Sequence, residues 1–305
     1  MRVFVTGASG HIGSAVLPEL LQAGHQVVGL ARSDSSAQAL EAAGAEVHRG
    51  DLDDLDGLRK AAGAADGVIH LAYKHDEMGA GNIAAAVAAD LAAIEALASA
   101  LEGTGKPLVT TSGTAMITFA GITGRPGTEA DIAPSGSGPR VDAEHLVIGL
   151  PERGVRSSVV RLPPIVHSPL DHHGFAHILI AIARQTGVSG YVGDGANRWP
   201  SVHTLDAAQM YRLALESAPA GSMLHAVADE GIPFRDIAGV IGRGVGVPTA
   251  SISASDAAGQ FAFLGAFVGA DNPTSSEVTR KVLGWEPTHP GLIEDLEHGH
   301  YFRQG

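Results

Sequence analysis

Three glycines within the first thirteen residues constrain this chain more than anything that follows. Thr6-Gly7-Ala8-Ser9-Gly10-His11-Ile12-Gly13 stands between a short apolar run, Val3 to Val5, and a helical pattern. In that pattern Ile12, Val16, Leu17, Leu20 and Leu21 recur at helical spacing, and Gly24 ends it. Between a strand and a helix each glycine has its own task. Gly7 permits the tight turn, Gly10 lets a phosphate approach bare backbone, and Gly13 lets the helix sit close on the strand. The amides that open the helix then face the phosphate oxygens. The expectation is a dinucleotide site that uses Gly7, Ser9, Gly10, His11, Ile12 and Gly13.

The chain continues as alternating short apolar runs and helix-length patterns. Strands are expected at 26–30, 46–48, 67–71, 107–111 and 157–161, with helices at 36–43, 55–62, 82–101 and 141–150. Without tight hairpin signals between the strands, this order predicts an α/β fold, a Rossmann-type doubly wound parallel sheet covered on both faces. A loop rich in Gly, Pro and Ser spans 121–139. Beyond Pro163-Pro164 the alternation stops. Helices are expected at 175–186, 206–217, 234–242, 254–269 and 275–283, with a short strand at 224–228. The division that follows is a dinucleotide-binding domain over 1–165 and a smaller, mostly helical substrate lobe over 166–305, joined without a flexible linker.

Composition removes several classes of function. With no cysteine there is no disulfide scaffold, cysteine-ligated zinc, iron–sulfur cluster or thiolate nucleophile. A net charge of −13 repels nucleic acid and anionic membrane alike. The opening residues enter a strand pattern rather than a signal peptide. The 14-residue run 257–270 is too short to span a bilayer. The expectation is a cytoplasmic protein acting on a small molecule, with no nucleic acid or membrane partner.

The choice of dinucleotide turns on the end of the second strand. An NAD site places a carboxylate there for the ribose 2′-hydroxyl. This chain has Ala31-Arg32-Ser33, where Arg32 can pair with a 2′-phosphate and Ser33 can hydrogen-bond to it. NADP(H) is therefore expected over NAD(H), with Asp34 as the feature that keeps NAD(H) open.

Taken in order, several motifs resemble those of the extended or atypical short-chain dehydrogenase/reductases. They are the turn at 6–13, Gly50-Asp51-Leu52, His70-Leu71-Ala72, Thr111-Ser112, Arg161-Leu162-Pro163, Val192-Gly193-Asp194-Gly195, Val202-His203 and Leu283-Gly284-Trp285-Glu286-Pro287. The resemblance implies Asp51 and Leu52 near the adenine, and Leu71, Ala72 and Tyr73 along the cofactor. It places Leu162, Pro163 and Pro164 beside the nicotinamide, and implies a homodimer packed through the alanine-rich helix at 82–101.

The family's chemistry uses a serine, a tyrosine acid/base and a lysine four residues after the tyrosine. Ser112 matches the serine, but no Tyr-x-x-x-Lys occurs in this chain. Aligned on Glu144, the tyrosine position holds Gly136 and the lysine position Arg140. Arg140 can still anchor ribose hydroxyls, but it stays protonated and cannot shuttle a proton. The catalytic candidates are thus Ser112, Arg140 and Tyr73, with the proton from Tyr73, a histidine of 172–177, or water. Met116, His173, Tyr191 and Trp199 are expected to line the substrate pocket. His173 and His177 are four apart and would share a helical face, although no metal is expected. Asp206 is expected to cap its helix. The reading is an NADP(H)-dependent reductase of a small ketone or imine. A redox sensor or scaffold without chemistry and a nucleotide-sugar epimerase or dehydratase are the alternatives.

Overall fold

A computed structural model describes residues 1–261, 264, 265 and 267–303. The strands are β1 (Arg2–Thr6), β2 (Gln26–Ala31), β3 (Glu46–Arg49), β4 (Gly67–His70), β5 (Pro107–Gly113), β6 (Arg156–Leu162) and β7 (Ile165–His167). They continue with β8 (Ser189–Val192), β9 (Arg198–His203), β10 (Ser222–His225), β11 (Asp229–Pro233) and β12 (Thr249–Ile252). The helices begin with α1 (His11–Gln22), α2 (Asp34–Ala42), α3 (Leu55–Gly63), α4 (His75–Gly79), α5 (Ile83–Leu101), α6 (Ala115–Phe119) and α7 (Val141–Gly149). After them come α8 (Phe175–Thr186), α9 (Thr204–Ser217), α10 (Phe234–Val245), α11 (Ala254–Phe261), α12 (Glu277–Leu283) and α13 (Leu292–Glu297).

Seven strands form one parallel sheet in the order β10-β6-β5-β4-β1-β2-β3. The expected doubly wound fold is present. Strand alternation explains its two covered faces. Val3, Val5, Ile69 and Val109 pack against α1 and α9 on one side, while Phe4, Val28, Val68 and Leu108 pack against α3 and α5 on the other. The chain order reverses between β1 and β4, where Thr6 pairs with His70. The carboxyl ends of strands at such a reversal form the ligand crevice of this architecture.

Past residue 165 the chain does not keep to one layer. α9 packs on α1, with Ala207, Met210, Tyr211 and Ala214 in the same core as Val16 and Leu20, and β10 joins β6 at the sheet edge. The remaining core gathers Ile165, Leu179, Trp199, Phe234, Phe261, Leu292 and Tyr301. It is backed by the small sheets β11-β9-β7 and β12-β8. Of the expected helix at 254–269, α11 accounts for 254–261, and residues 262, 263 and 266 lie outside the described residues.

α5 has 19 residues and is long and apolar enough to cross a membrane by length and composition. Its apolar content has a use in this fold, because Ala93, Ala96, Leu97, Ala98 and Leu101 are buried in the core beneath the sheet.

Two caps differ from the sequence expectation. α2 begins at Asp34, since Ser33 accepts from the Ser36 amide and closes a capping box. α9 begins at Thr204, capped by His203, whose ring accepts from the Leu205 amide. Asp206 therefore lies inside the helix, where its carboxylate takes the Thr288 and His289 amides and the His289 ring.

Candidate functional site

The glycine turn has the geometry its sequence requires. Gly7 sits at φ +70°, and a Cβ there would lie 2.7 Å from the Ala72 amide nitrogen. A Cβ on Gly13 would meet the Gly7 carbonyl oxygen at 2.2 Å, so α1 can rest on the turn only without a side chain there. A Cβ on Gly10 would touch only the Gly7 carbonyl, at 3.3 Å, and Ser9 and Gly10 are exposed. The helix N-terminus is thus open to an anion, and the cradle fits a pyrophosphate. His11 is less free than its neighbours. Its Nε2 bonds Thr204 Oγ1 at 2.9 Å, and its Nδ1 lies 3.8 Å from Asp171.

At the end of β2, Arg32 is exposed and both terminal guanidinium nitrogens reach Asp76 at 3.1 Å. Asp34 is equally exposed and pairs with Arg49. Ser33 is committed to the α2 cap described above. Asp51 is exposed, and its carboxylate accepts the Asp53 and Asp54 amides, whereas Leu52 is buried in the core. Leu71, Ala72 and Tyr73 follow β4, Leu162 closes β6 and Pro164 comes just after it; all five are half-buried, and Pro163 is buried.

Ser112, near the end of β5, is buried, and its hydroxyl has no hydrogen-bond partner. An unpaired buried hydroxyl is costly, and this one lies at the carboxyl end of its strand. Its neighbour Thr111 donates to the His70 carbonyl at 3.0 Å and accepts from the buried Tyr211 phenol at 2.8 Å. Burial pushes the Tyr211 phenol far above its ordinary range.

Arg140 precedes α7 and is only 16% exposed at its side chain. Its guanidinium carbon lies 4.2 Å from the Tyr73 ring centroid, and one terminal nitrogen reaches Asp90 at 3.3 Å. Its Nε is buried without a partner. Burial raises the Tyr73 phenol above its usual value despite the opposing pull of Arg140. The ring of His75 stands edge-on to Tyr73 at 5.3 Å.

Of the four expected pocket residues, two are committed to cores. Met116 packs with Ala133 and Val141, and Trp199 is core between Phe175 and Phe234, so neither is a free wall. Tyr191 is half-buried against that same core. His173 is exposed and precedes α8, so it shares no helical face with His177, which instead bonds the Asp171 carbonyl and lies tilted against the Tyr301 ring. Sequence reasoning missed Thr6, His70 and Asp90. Asp90 carried the readable signal, as one of two charges in an apolar 19-residue helix.

The sequence pattern of the NAD dependent epimerase/dehydratase family matches residues 3–225, from β1 through β10. The chain belongs to that family. Within this epimerase/dehydratase family its relatives include an uncharacterized protein of Schizosaccharomyces pombe, 47% identical over 302 residues, covering 99% of this chain and 100% of the relative. Another is a 2-alkyl-3-oxoalkanoate reductase of Stenotrophomonas maltophilia, 26% identical, covering 81% of this chain and 77% of the relative. A dTDP-glucose 4,6-dehydratase of Streptomyces venezuelae, solved with NAD and TYD bound, has a similar fold. Its TM-score is 0.78 at 18% identity, covering 99% of this chain and 96% of that one.

Proposed function

We propose that the protein is an NADP(H)-dependent oxidoreductase that reduces a small ketone or imine. The observation that carries this reading is the buried, unpartnered Ser112 hydroxyl at the crevice end of β5. Its neighbour Thr111 is bonded to His70, and so to the chain of contacts that ends at Arg140.

The dinucleotide, when bound, supplies the hydride. The chain's own residues do the rest. Gly7, Gly10 and Gly13 leave backbone amides open to the pyrophosphate, and Arg32 exchanges Asp76 for the 2′-phosphate. Arg140 donates from Nε toward the ribose. Ser112 donates to the substrate oxygen or nitrogen and orients it, a role for which serine needs no acidity of its own. Tyr73 is our choice of proton donor, because it lies half-buried beside Arg140 after β4, while His172 and His173 are exposed and His177 is tied to the Asp171 carbonyl.

The missing tyrosine–lysine pair weighs against epimerase or dehydratase chemistry, which needs a base to remove a proton. The Stenotrophomonas relative is named for reduction of an oxo group, which supports the carbonyl reading. The test is oxidation of bound NADPH in the presence of a panel of ketones and imines. Turnover with a member of the panel is expected, and Ser112→Ala should lower it by about 10²-fold, as removal of one oxyanion donor does. Tight NADPH binding without turnover across the panel would favour a cofactor-binding protein without chemistry. Conversion of UDP-glucose with no net NADPH consumption would favour the epimerase reading.

A further inference from the structure

The carboxylate of Asp90 has no part in the reading above, yet Asp90 is 2% exposed on the inner face of α5. A buried carboxylate persists only with partners. Asp90 has two: His70 Nε2 lies 3.3 Å from Oδ1, and Arg140 Nη2 lies 3.3 and 3.5 Å from the two oxygens.

On its other side the His70 ring meets Thr6 Oγ1, at 2.7 Å from Nδ1, and Thr6 Oγ1 also accepts the Ala72 amide at 3.2 Å. The chain of contacts thus runs from the glycine turn through His70 to Asp90 and Arg140, and Asp90 is the carboxylate that faces Arg140. Burial raises the Asp90 carboxyl, but Arg140 and His70 together outweigh it and hold the group below the usual carboxylate value. Within this cluster the Asp90 carboxylate faces the Arg140 guanidinium, and Thr6 and His70 pair where the chain order reverses between β1 and β4.

We propose that Asp90 is a positioning residue that holds Arg140 and cancels its charge, so that the nicotinamide end of the site is electrically neutral. This rests on the dinucleotide reading above and deepens it. The oxidised nicotinamide ring carries a positive charge that the reduced ring lacks. An uncompensated guanidinium in the same crevice would repel the oxidised form selectively, and Asp90 removes that penalty. A carboxylate that served only to pack α5 would have no such preference.

The experiment is calorimetric titration of NADP+ and NADPH into the full chain and into Asp90→Asn, Arg140→Ala and the double variant. Asp90→Asn should weaken NADP+ by about tenfold and NADPH by much less, because its guanidinium is unbalanced. In the double variant the ratio of the two affinities should return to that of the unaltered chain. Equal weakening of both forms by Asp90→Asn, or a shifted ratio that persists in the double variant, would overturn the proposal. If the unaltered chain binds neither form, the dinucleotide reading itself falls and takes this inference with it. Should Asp90→Asn not fold, Asp90→Leu combined with Arg140→Leu removes both charges and should fold. In that pair the ratio of NADP+ to NADPH affinity should match that of the unaltered chain, and a ratio shifted against NADP+ would overturn the proposal.

Discussion

Arg32 shows how a residue can be placed for a ligand while occupied by something else. Its partner Asp76 is 77% exposed at the side chain, and an exposed pair of this kind contributes only about 0–1 kcal/mol. A 2′-phosphate presents more charge and a bidentate geometry to the same guanidinium, so it displaces Asp76 readily. The unaltered chain should therefore bind NADP(H) at least about tenfold more tightly than NAD(H), a difference of about 1.4 kcal/mol, and Arg32→Ala should erase most of it. Equal affinities for the two cofactors in the unaltered chain would refute this role. Tyr73 makes a second claim at this scale. If it gives the proton, its raised value keeps reduction active past the ordinary tyrosine value of about 10, whereas a histidine donor would let the rate fall through about 6.5. A pH–rate profile distinguishes them, and Tyr73→Phe should remove the activity that survives at high pH.

Among the elements, the β1 turn and α1 behave as one unit. Gly13 is the contact that sets their distance, since any Cβ there would enter the Gly7 carbonyl and the backbone of Ala8. Neither partner is a side-chain tip that can swing aside, so the helix itself would have to move. Gly13→Ala should cost about 1–3 kcal/mol in stability. It should also weaken dinucleotide binding more than the stability loss explains, because the displaced helix carries the amides that face the phosphate. Chemical denaturation alongside cofactor titration checks both. An unchanged cofactor affinity in a folded Gly13→Ala chain would show that the cradle tolerates a shifted α1.

For the molecule as a whole, buried histidines set the acid limit. Burial, followed by the charges of His167 and His289, pushes His203 down to about 4, and burial with Arg161 does the same to His225. In the unfolded chain both titrate near 6.5. Between about 6.5 and 4 the unfolded chain therefore binds more protons than the folded one. Stability is complete above that window and declines as the pH is lowered through it. Thermal unfolding should show Tm falling from pH 6.5 to 4.5, and His225→Asn should flatten the slope. A Tm that is level across this interval in the unaltered chain would contradict the buried neutral state. His225 and Arg161 meet at 3.3 Å between β10 and β6, so the strand added last to the sheet is the one this titration strains.

What the sequence determined by itself was governed by neighbours a few residues apart. The glycine turn, the order of strands and helices and the parallel sheet were legible because turn geometry and apolar periodicity are local properties. α8 was readable to the residue, at Phe175–Thr186. The tertiary structure decided what depends on distant partners. Arg140 could be read as a ribose anchor, but its balancing carboxylate lies fifty residues earlier, on another helix. Trp199 and Met116 are the residue types that line pockets and equally those that fill cores, and only packing against Phe234 or Val141 separates the two uses. The α9 cap passed from Asp206 to His203 because the loop at 288–289 claims the aspartate's oxygens. The return of β10 to the first sheet follows from an edge of β6 left open to pair, a vacancy that no local pattern records.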